Sequence, residues 1–424
     1  MTAVTSETRA TSRASVSVVS GVVLGVGVVA FVVLALTLIP WHPYPGGRLH
    51  VPPASAIFTP TQIARATTFS HIARWLERSS LAVSVVVACL IGFTPPRRRL
   101  SRRLRGPWPV RVLEAVVALV LVGQLVTLPF SVLLEREEHR TGLSRASWGA
   151  FAGSTALGAL LQTVAIAAVL LVLLACARRW PRAWPAIVGL LFAALVGIGS
   201  FVYPIAVAPL FTQTRPMPAG PLRTAIMRVA AEEHVHLSQV LLADVSQRTT
   251  ELNAYVIGFG STREVVLYDN LVHQLSRREI LVVVAHELGH AHYDDVLHGT
   301  LLGMAAALIA AGLAGLLLRR LPARGDVRGR ETVGAVVAFA LAVYAVGALL
   351  ATPVENVLSR RIETRADVAA LRTTRDEKAF VGLQRQLAVS SLADPTPPAW
   401  SQFVFGSHPT ALQRIAVAER ILGR

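Results

Sequence analysis

His286, Glu287 and His290 stand in the order His-Glu-Leu-Gly-His. Four residues make about one helical turn, so in a helix both imidazoles leave one face and can bind a single zinc ion. Glu287 then lies beside them, placed to take a proton from water. Two imidazoles do not complete a catalytic zinc site, which usually takes three protein ligands and leaves a fourth position open. Downstream, SRRIETRADVAALR offers Glu363, with Asp367 one turn later on the same helical face. A carboxylate beside two neutral imidazoles keeps zinc Lewis-acidic, and a nearby acid can orient a ligating histidine from behind. Taken without that context, Glu363 and Asp367 read sooner as surface salt-bridge partners of Arg360, Arg361 and Arg365, and the context reverses that preference.

The elements that must hold these groups follow from local pattern. Ser276 and Glu279 have capping-box spacing at the start of a helix that runs through ILVVVAHELGHAH. Before it, LRTAIMRVAAEEHV has helical periodicity, and QVLLADV, NAYVIGF and REVVLYD read as short strands, so 212–298 is expected to be a small helix-and-sheet insert. His292 and His298 continue past the His-Glu-Leu-Gly-His helix, but their spacing takes them off its ligand face, and polar contacts at the membrane boundary suit them better. Asp294 and Asp295 are expected to end the soluble part of that helix.

The rest of the 424-residue chain is unusually apolar: 53% is hydrophobic, 16% is charged and mean hydropathy is +0.54. That excludes a disordered chain and an ordinary soluble enzyme, in which about a quarter of residues are charged. Stretches long enough to cross a bilayer lie near 16–40, 79–96, 112–134, 148–177, 183–211, 299–318 and 332–352. The first is too long for a signal-peptide core and reads as an uncleaved anchor. Thr59-Pro60 opens an amphipathic segment, 59–78, expected to lie at the membrane surface. The domains are then 1–211, with five spans; 212–298; a two-span hairpin at 299–352; and a helical tail at 353–424, broken by DPTPP at 394–398. Cys89 and Cys176 both lie in apolar blocks and form neither a disulfide framework nor a metal site. Net charge is +16, and 40 of the 41 basic residues are arginine. They sit in short segments between apolar blocks, with no aromatic-interleaved basic face. This speaks for membrane topology and anionic lipid headgroups, and against nucleic acid.

With these motifs in order, the chain resembles the M48 family of integral-membrane zinc metalloproteases, in particular its seven-span, Ste24-type branch. The resemblance rests on VAPLF at 207–211, Arg248, NAYVIGFG at 253–260, VVLYDNL at 265–271, HELGH, SRRIETRAD and SHPTALQR at 407–414. It implies a predominantly α, polytopic fold, with about seven transmembrane helices around a water-filled chamber and a small α+β zincin-like domain. It also implies one zinc ion held by His286, His290 and Glu363, with Glu287 as general base and Asp367 behind the ligands. His408 and Arg414 match residues that bind substrate and steady the developing oxyanion. Asn253, Ala254, Tyr255 and Val256 match the strand that aligns a peptide or protein substrate, as an exposed strand edge can do through its main chain. One departure is visible: where the family often has R-S-x-H-S-N, this chain reads Arg248-Thr249-Thr250-Glu251-Leu252-Asn253, so a change of substrate preference is expected.

Glu287 is expected to take a proton from water and pass it to the leaving amine. The site can assemble only if the last two spans fold back as a hairpin. The loops after spans two, four and six contain 7, 3 and 5 arginines, against 4 and 3 after spans one and three. The positive-inside rule then puts the zinc domain outside, opposite to eukaryotic relatives. Arginine dominance suggests a GC-rich bacterium and a plasma-membrane location, in which a prenylated substrate would be unexpected. Rival readings are a general quality-control protease and a catalytically silent membrane scaffold.

Overall fold

A computed structural model describes residues 2–202, 213–318 and 332–423. The first membrane region comprises α1 (Thr2–Leu38), the short α2 (Ala54–Ile57), α3 (Pro60–Phe93), the short basic α4 (Pro96–Arg103), α5 (Trp108–Thr141), α6 (Trp148–Arg179) and α7 (Trp184–Val202). A small domain follows: β1 (Thr214–Pro216), α8 (Pro221–Glu232), β2 (Gln239–Ala243), β3 (Ala254–Ile257), β4 (Glu264–Tyr268), α9 (Asp269–Gln274) and α10 (Arg277–His292). Then come α11 (Asp295–Leu318), α12 (Val333–Thr374), α13 (Glu377–Ser390), α14 (Ala399–Phe405) and α15 (Ala411–Leu422). Among the described residues, seven helices are long and apolar enough to cross a membrane: α1 from Ser15, α3, α5, α6, α7, α11 and α12.

Two expected boundaries are absent. The surface helix at 59–78 and the separate span at 79–96 are one continuous helix, α3, opened by a Thr59–Gln62 capping box. Its polar first half is tied to protein groups: Arg65 donates to the Thr141 carbonyl (2.9 Å), Arg74 pairs with Asp394 (2.7 Å) and Arg78 donates to Ser401 Oγ (2.6 Å). Phe69 and Ala73 pack there against Leu392. Similarly, α12 does not end near Pro353 but passes through it for 42 residues, so the last span and the helix bearing Glu363 are one rod. The break at DPTPP is present, between α13 and α14.

The helices meet at the end remote from the small domain. There Val112 and Val116 of α5, Leu170 and Leu174 of α6, Val188 of α7, Ala311 of α11 and Val336 and Val337 of α12 form one core. Nearer the small domain many large apolar side chains of the spans remain uncovered by protein, among them Leu125, Leu128, Leu195, Tyr344 and Leu350. Cys176 is buried in the remote core and Cys89 is half-buried.

The sheet order is β1-β2-β4-β3, with β2 parallel to β4 and the outer pairs antiparallel. Three of its strands match the expected ones, and β1 is additional; three residues ending in proline carry too little period to be read. α10 packs on this sheet through Ile280, Val284 and Leu288. Its other side meets α12 at Gly289, where an added Cβ would lie 3.2 Å from the Ala369 Cβ and 3.4 Å from the Ala366 Cα. A small residue there lets the two helix backbones approach, and that approach carries Glu363 to the two imidazoles. Of the sequence landmarks, VAPLF at 207–211 and the basic loop at 319–330 lie outside the described residues.

Candidate metal centre

The capping box that starts α10 is formed in both directions: Ser276 N donates to Glu279 Oε2 (2.8 Å), and Glu279 N donates to Ser276 Oγ (3.4 Å). Two and a half turns later, the helix turns the rings of His286 and His290 toward each other, Nε2 to Nε2 at 3.2 Å. Glu363 of α12 meets both, with Oε2 at 3.4 Å from His286 Nε2 and Oε1 at 3.6 Å from His290 Nε2. Among the described residues these three form the group whose donor atoms could hold one metal ion.

The remaining ring nitrogens decide what that group can do. His286 Nδ1 lies 3.0 Å from Asp367 Oδ1, and His290 Nδ1 lies 2.9 Å from Asp295 Oδ2. If each Nδ1 carries its proton to the acid behind it, both Nε2 atoms present lone pairs to one another and to the Glu363 carboxylate. Such a set repels itself unless a cation sits at its centre. Glu363 Oε2 is buried and has no hydrogen-bond partner among the described residues. Zinc–nitrogen bonds of about 2.0–2.1 Å at a tetrahedral angle put two ring nitrogens roughly 3.3 Å apart. The donor set therefore fits zinc by chemistry and by spacing.

Asp295 was not anticipated in this role. The expectation that Asp294 and Asp295 terminate the helix is met by Asp294, whose φ of 51° is left-handed. That turn swings Asp295, at the head of α11, back onto His290. Arg365 holds Asp295 from α12 and lies 4.3 Å from the Tyr293 ring. The available signal was chemical: a second ligating histidine also needs an acid, and Asp295 is five residues away. His292 turns elsewhere, its Nδ1 2.9 Å from the Glu233 carbonyl, and His298 lies on α11 outside the convergent group.

Glu287 is part-buried beside the ligands, and burial pushes its carboxyl above the ordinary glutamate range against the opposing pull of His286 and His290. α15 brings in Arg414, whose Nε donates to Asp367 Oδ2 (2.8 Å) and whose Nη2 also bonds Asp367 and lies 3.4 Å from His286 Nδ1. Two of its nitrogens are thus committed to the acid behind His286. His408, in the loop before α15, puts Nε2 at 3.4 Å from Glu363 Oε1, and its side chain is largely exposed.

Asn253 to Val256 sit on the sheet edge beside α10. One side of β3 pairs with β4, and Tyr268 N extends the ladder to the Asn253 carbonyl (3.0 Å). Among the described strands, none pairs with its other side. The departing segment before it is tied to the turn between α5 and α6: Arg145 N donates to the Arg248 carbonyl (2.9 Å) and Thr250 N to that of Leu143 (3.2 Å). The lead into the edge strand is therefore set by the membrane bundle.

Residues 216–422 match the sequence profile of Peptidase family M48, and residues 65–213 match that described as CAAX prenyl protease N-terminal, five membrane helices. An uncharacterized metalloprotease, YhfN, from Bacillus subtilis is 24% identical over 395 residues, covering 90% of this chain and 92% of its own. A CAAX prenyl protease 1 homolog of Oryza sativa is 30% identical over 225 residues, and the match spans 51% of this chain and 52%, about half, of that relative. The crystal structure of S. mikatae Ste24p superposes with a TM-score of 0.72 at 17% identity, covering 96% of this chain and 99% of that one, a likeness of fold.

Proposed function

We propose that this chain, whose residues 216–422 match peptidase family M48 and whose residues 65–213 match the five-helix CAAX prenyl protease N-terminal profile, is a Ste24-type zinc metalloendopeptidase acting on peptide or protein substrates at a membrane. The observation that supports this most directly is the convergence of His286 Nε2, His290 Nε2 and the Glu363 carboxylate, with the opposite nitrogen of each ring held by Asp367 or Asp295. Zinc held by those three residues would supply Lewis acidity, polarising the scissile carbonyl and easing deprotonation of water.

The chain's own residues do the rest. The side of β3 that pairs with no described strand binds an extended substrate through main-chain hydrogen bonds, which select for shape and not for one side chain. Glu287 accepts the proton from the attacking water and delivers it to the leaving amine. Burial raises its affinity for protons, which suits a group that must both take and give one. His408 stands where it can donate to the developing oxyanion. Arg414 neutralises Asp367, which fixes the orientation of His286. The prenyl specificity in the relatives' names is not part of the proposal. A chelator such as 1,10-phenanthroline should abolish cleavage of a casein probe, and one equivalent of zinc should restore it. A chelated, metal-free enzyme that still cleaves would refute the reading.

Membrane orientation follows from charge. The end remote from the protease domain carries Arg99, Arg102 and Arg103 of α4. Arg178 is stacked 5.0 Å from the Trp108 ring and Arg179 5.4 Å from that of Trp180. Arginine and tryptophan together suit an anionic headgroup layer on the cytoplasmic side. The protease domain then lies outside the cytoplasm of a bacterial plasma membrane. Alkaline phosphatase fused after Arg424 should be active, and the same reporter after Arg182 silent; the reverse pattern would place the domain in the cytosol.

A further inference from the structure

One face of α12 grips the C-terminal segment at four successive points. Asn356 Nδ2 donates to the Val404 carbonyl (2.6 Å); Arg360 Nη1 donates to the carbonyls of Gln402 (3.0 Å) and Gly406. One turn on, Glu363 meets His408, and Asp367 meets Arg414. Spacings of four, three and four keep all four residues on one helical face. Two of the four belong to the metal centre. The side chains of the other two, Asn356 and Arg360, donate among the described residues to main-chain carbonyls of the stretch leading to His408.

Beyond α14, the loop that carries His408 is held chiefly through its main chain. His408 has a side chain 60% exposed, so packing does not hold the ring. Its Nδ1 lies 2.9 Å from Ser407 Oγ in the same loop, and its carbonyl accepts from Gln402 Nε2 (2.6 Å). Gln402 is itself one of the two residues held by Arg360. The far side of the segment is anchored on α3, where Arg78 donates to Ser401 Oγ (2.6 Å) and lies 4.8 Å and 4.7 Å from the Trp400 and Phe405 ring centroids. A single guanidinium therefore brackets the loop at 402 and 406, immediately before the imidazole that overhangs the metal ligands.

We propose that Arg360 is a positioning residue for hydrolysis: it acts through the Gln402 and Gly406 carbonyls to hold His408 over Glu363. The inference rests on the metalloprotease reading and deepens it. Catalytic groups need placement to within about half an ångström, and an exposed imidazole on a loop obtains this only through its main chain.

The test uses the full-length, zinc-loaded protein in nanodiscs with a dye-quenched casein probe. Arg360→Gln should keep one zinc, lower kcat by about 10- to 100-fold and leave KM within about threefold. Arg360→Lys, which keeps a donor cation, should recover most of the loss. In a His408→Ala background, Arg360→Gln should cost less than about twofold more, because its effect passes through that ring. Hydrogen exchange should rise over 402–410 in Arg360→Gln and stay unchanged in α10. Equal losses with and without His408, or unchanged exchange over 402–410, overturn the proposal. Should Arg360→Gln fail to fold, Arg360→Met, which keeps the aliphatic stem but offers the two carbonyls no donor, carries the same expectations. A wild type that binds zinc but never cleaves the probe sinks the protease reading instead, and the exchange measurement still judges Arg360.

Discussion

Glu287→Gln should retain its zinc and its fold and lose about two to four orders of magnitude in kcat, the usual worth of a positioned general base. The substitution is nearly isosteric, and its neighbours give no reason for collapse: Glu287 is part-buried, while the helix around it is held by Ile280, Val284 and Leu288 in the sheet-side core. The three candidate ligands, His286, His290 and Glu363, are untouched, so metal content should stay at one equivalent. An amide cannot accept the proton that water must shed, and that is the whole of the expected loss. Metal analysis, circular dichroism and turnover on one preparation separate these effects. More than a tenth of wild-type turnover in a zinc-replete Glu287→Gln protein would remove Glu287 from the mechanism and point to another base. KM should move little, since the residue is not placed to hold the peptide main chain.

What could be read from the sequence was whatever depends on neighbours along the chain. The i, i+4 pair at His286 and His290 follows from helical pitch alone, and the capping box at Ser276 fixes where that pitch begins. Glu363 lies 73 residues beyond His290 and is chemically plausible but not compelled, and only the ordered resemblance singled out it, His408 and Arg414. Asp295 could not be read from periodicity, because its approach to His290 depends on one left-handed residue, Asp294. The continuity of α3 was hidden for a related reason. Its arginines look like headgroup ligands until the fold shows Arg74 satisfied by Asp394, 320 residues away in sequence. α12 hid behind Pro353, which usually ends a helix but here sits inside one. In each case a local rule was overridden by a partner supplied from a distant part of the chain.

Asp367 tests how far stability and metal affinity are coupled. Its side chain is 0% exposed and lies between His286 Nδ1 and two nitrogens of Arg414, itself nearly buried at 13%. Asp367→Asn leaves that guanidinium without its hydrogen-bonded countercharge, and breaking a buried pair from one side costs about 3–5 kcal/mol. The amide oxygen can still accept from His286 or from Arg414, but it cannot serve both as the carboxylate does. Zinc affinity should therefore fall as well, by about 10- to 100-fold, as when the acid behind a ligating histidine is removed. Asp295→Asn should show the same loss of zinc affinity with a smaller loss of stability, because Arg365 keeps the Tyr293 ring as a second partner. The double variant Asp367→Asn, Arg414→Met then separates the two effects. Removing the stranded cation should restore much of the melting temperature, whereas the weakened zinc binding should persist, since His286 still lacks its acid. Competition titration with a zinc indicator and thermal unfolding of the metal-loaded protein measure both quantities. If the double variant regains zinc affinity together with stability, Asp367 serves only to balance Arg414, and the orientation of His286 must come from elsewhere.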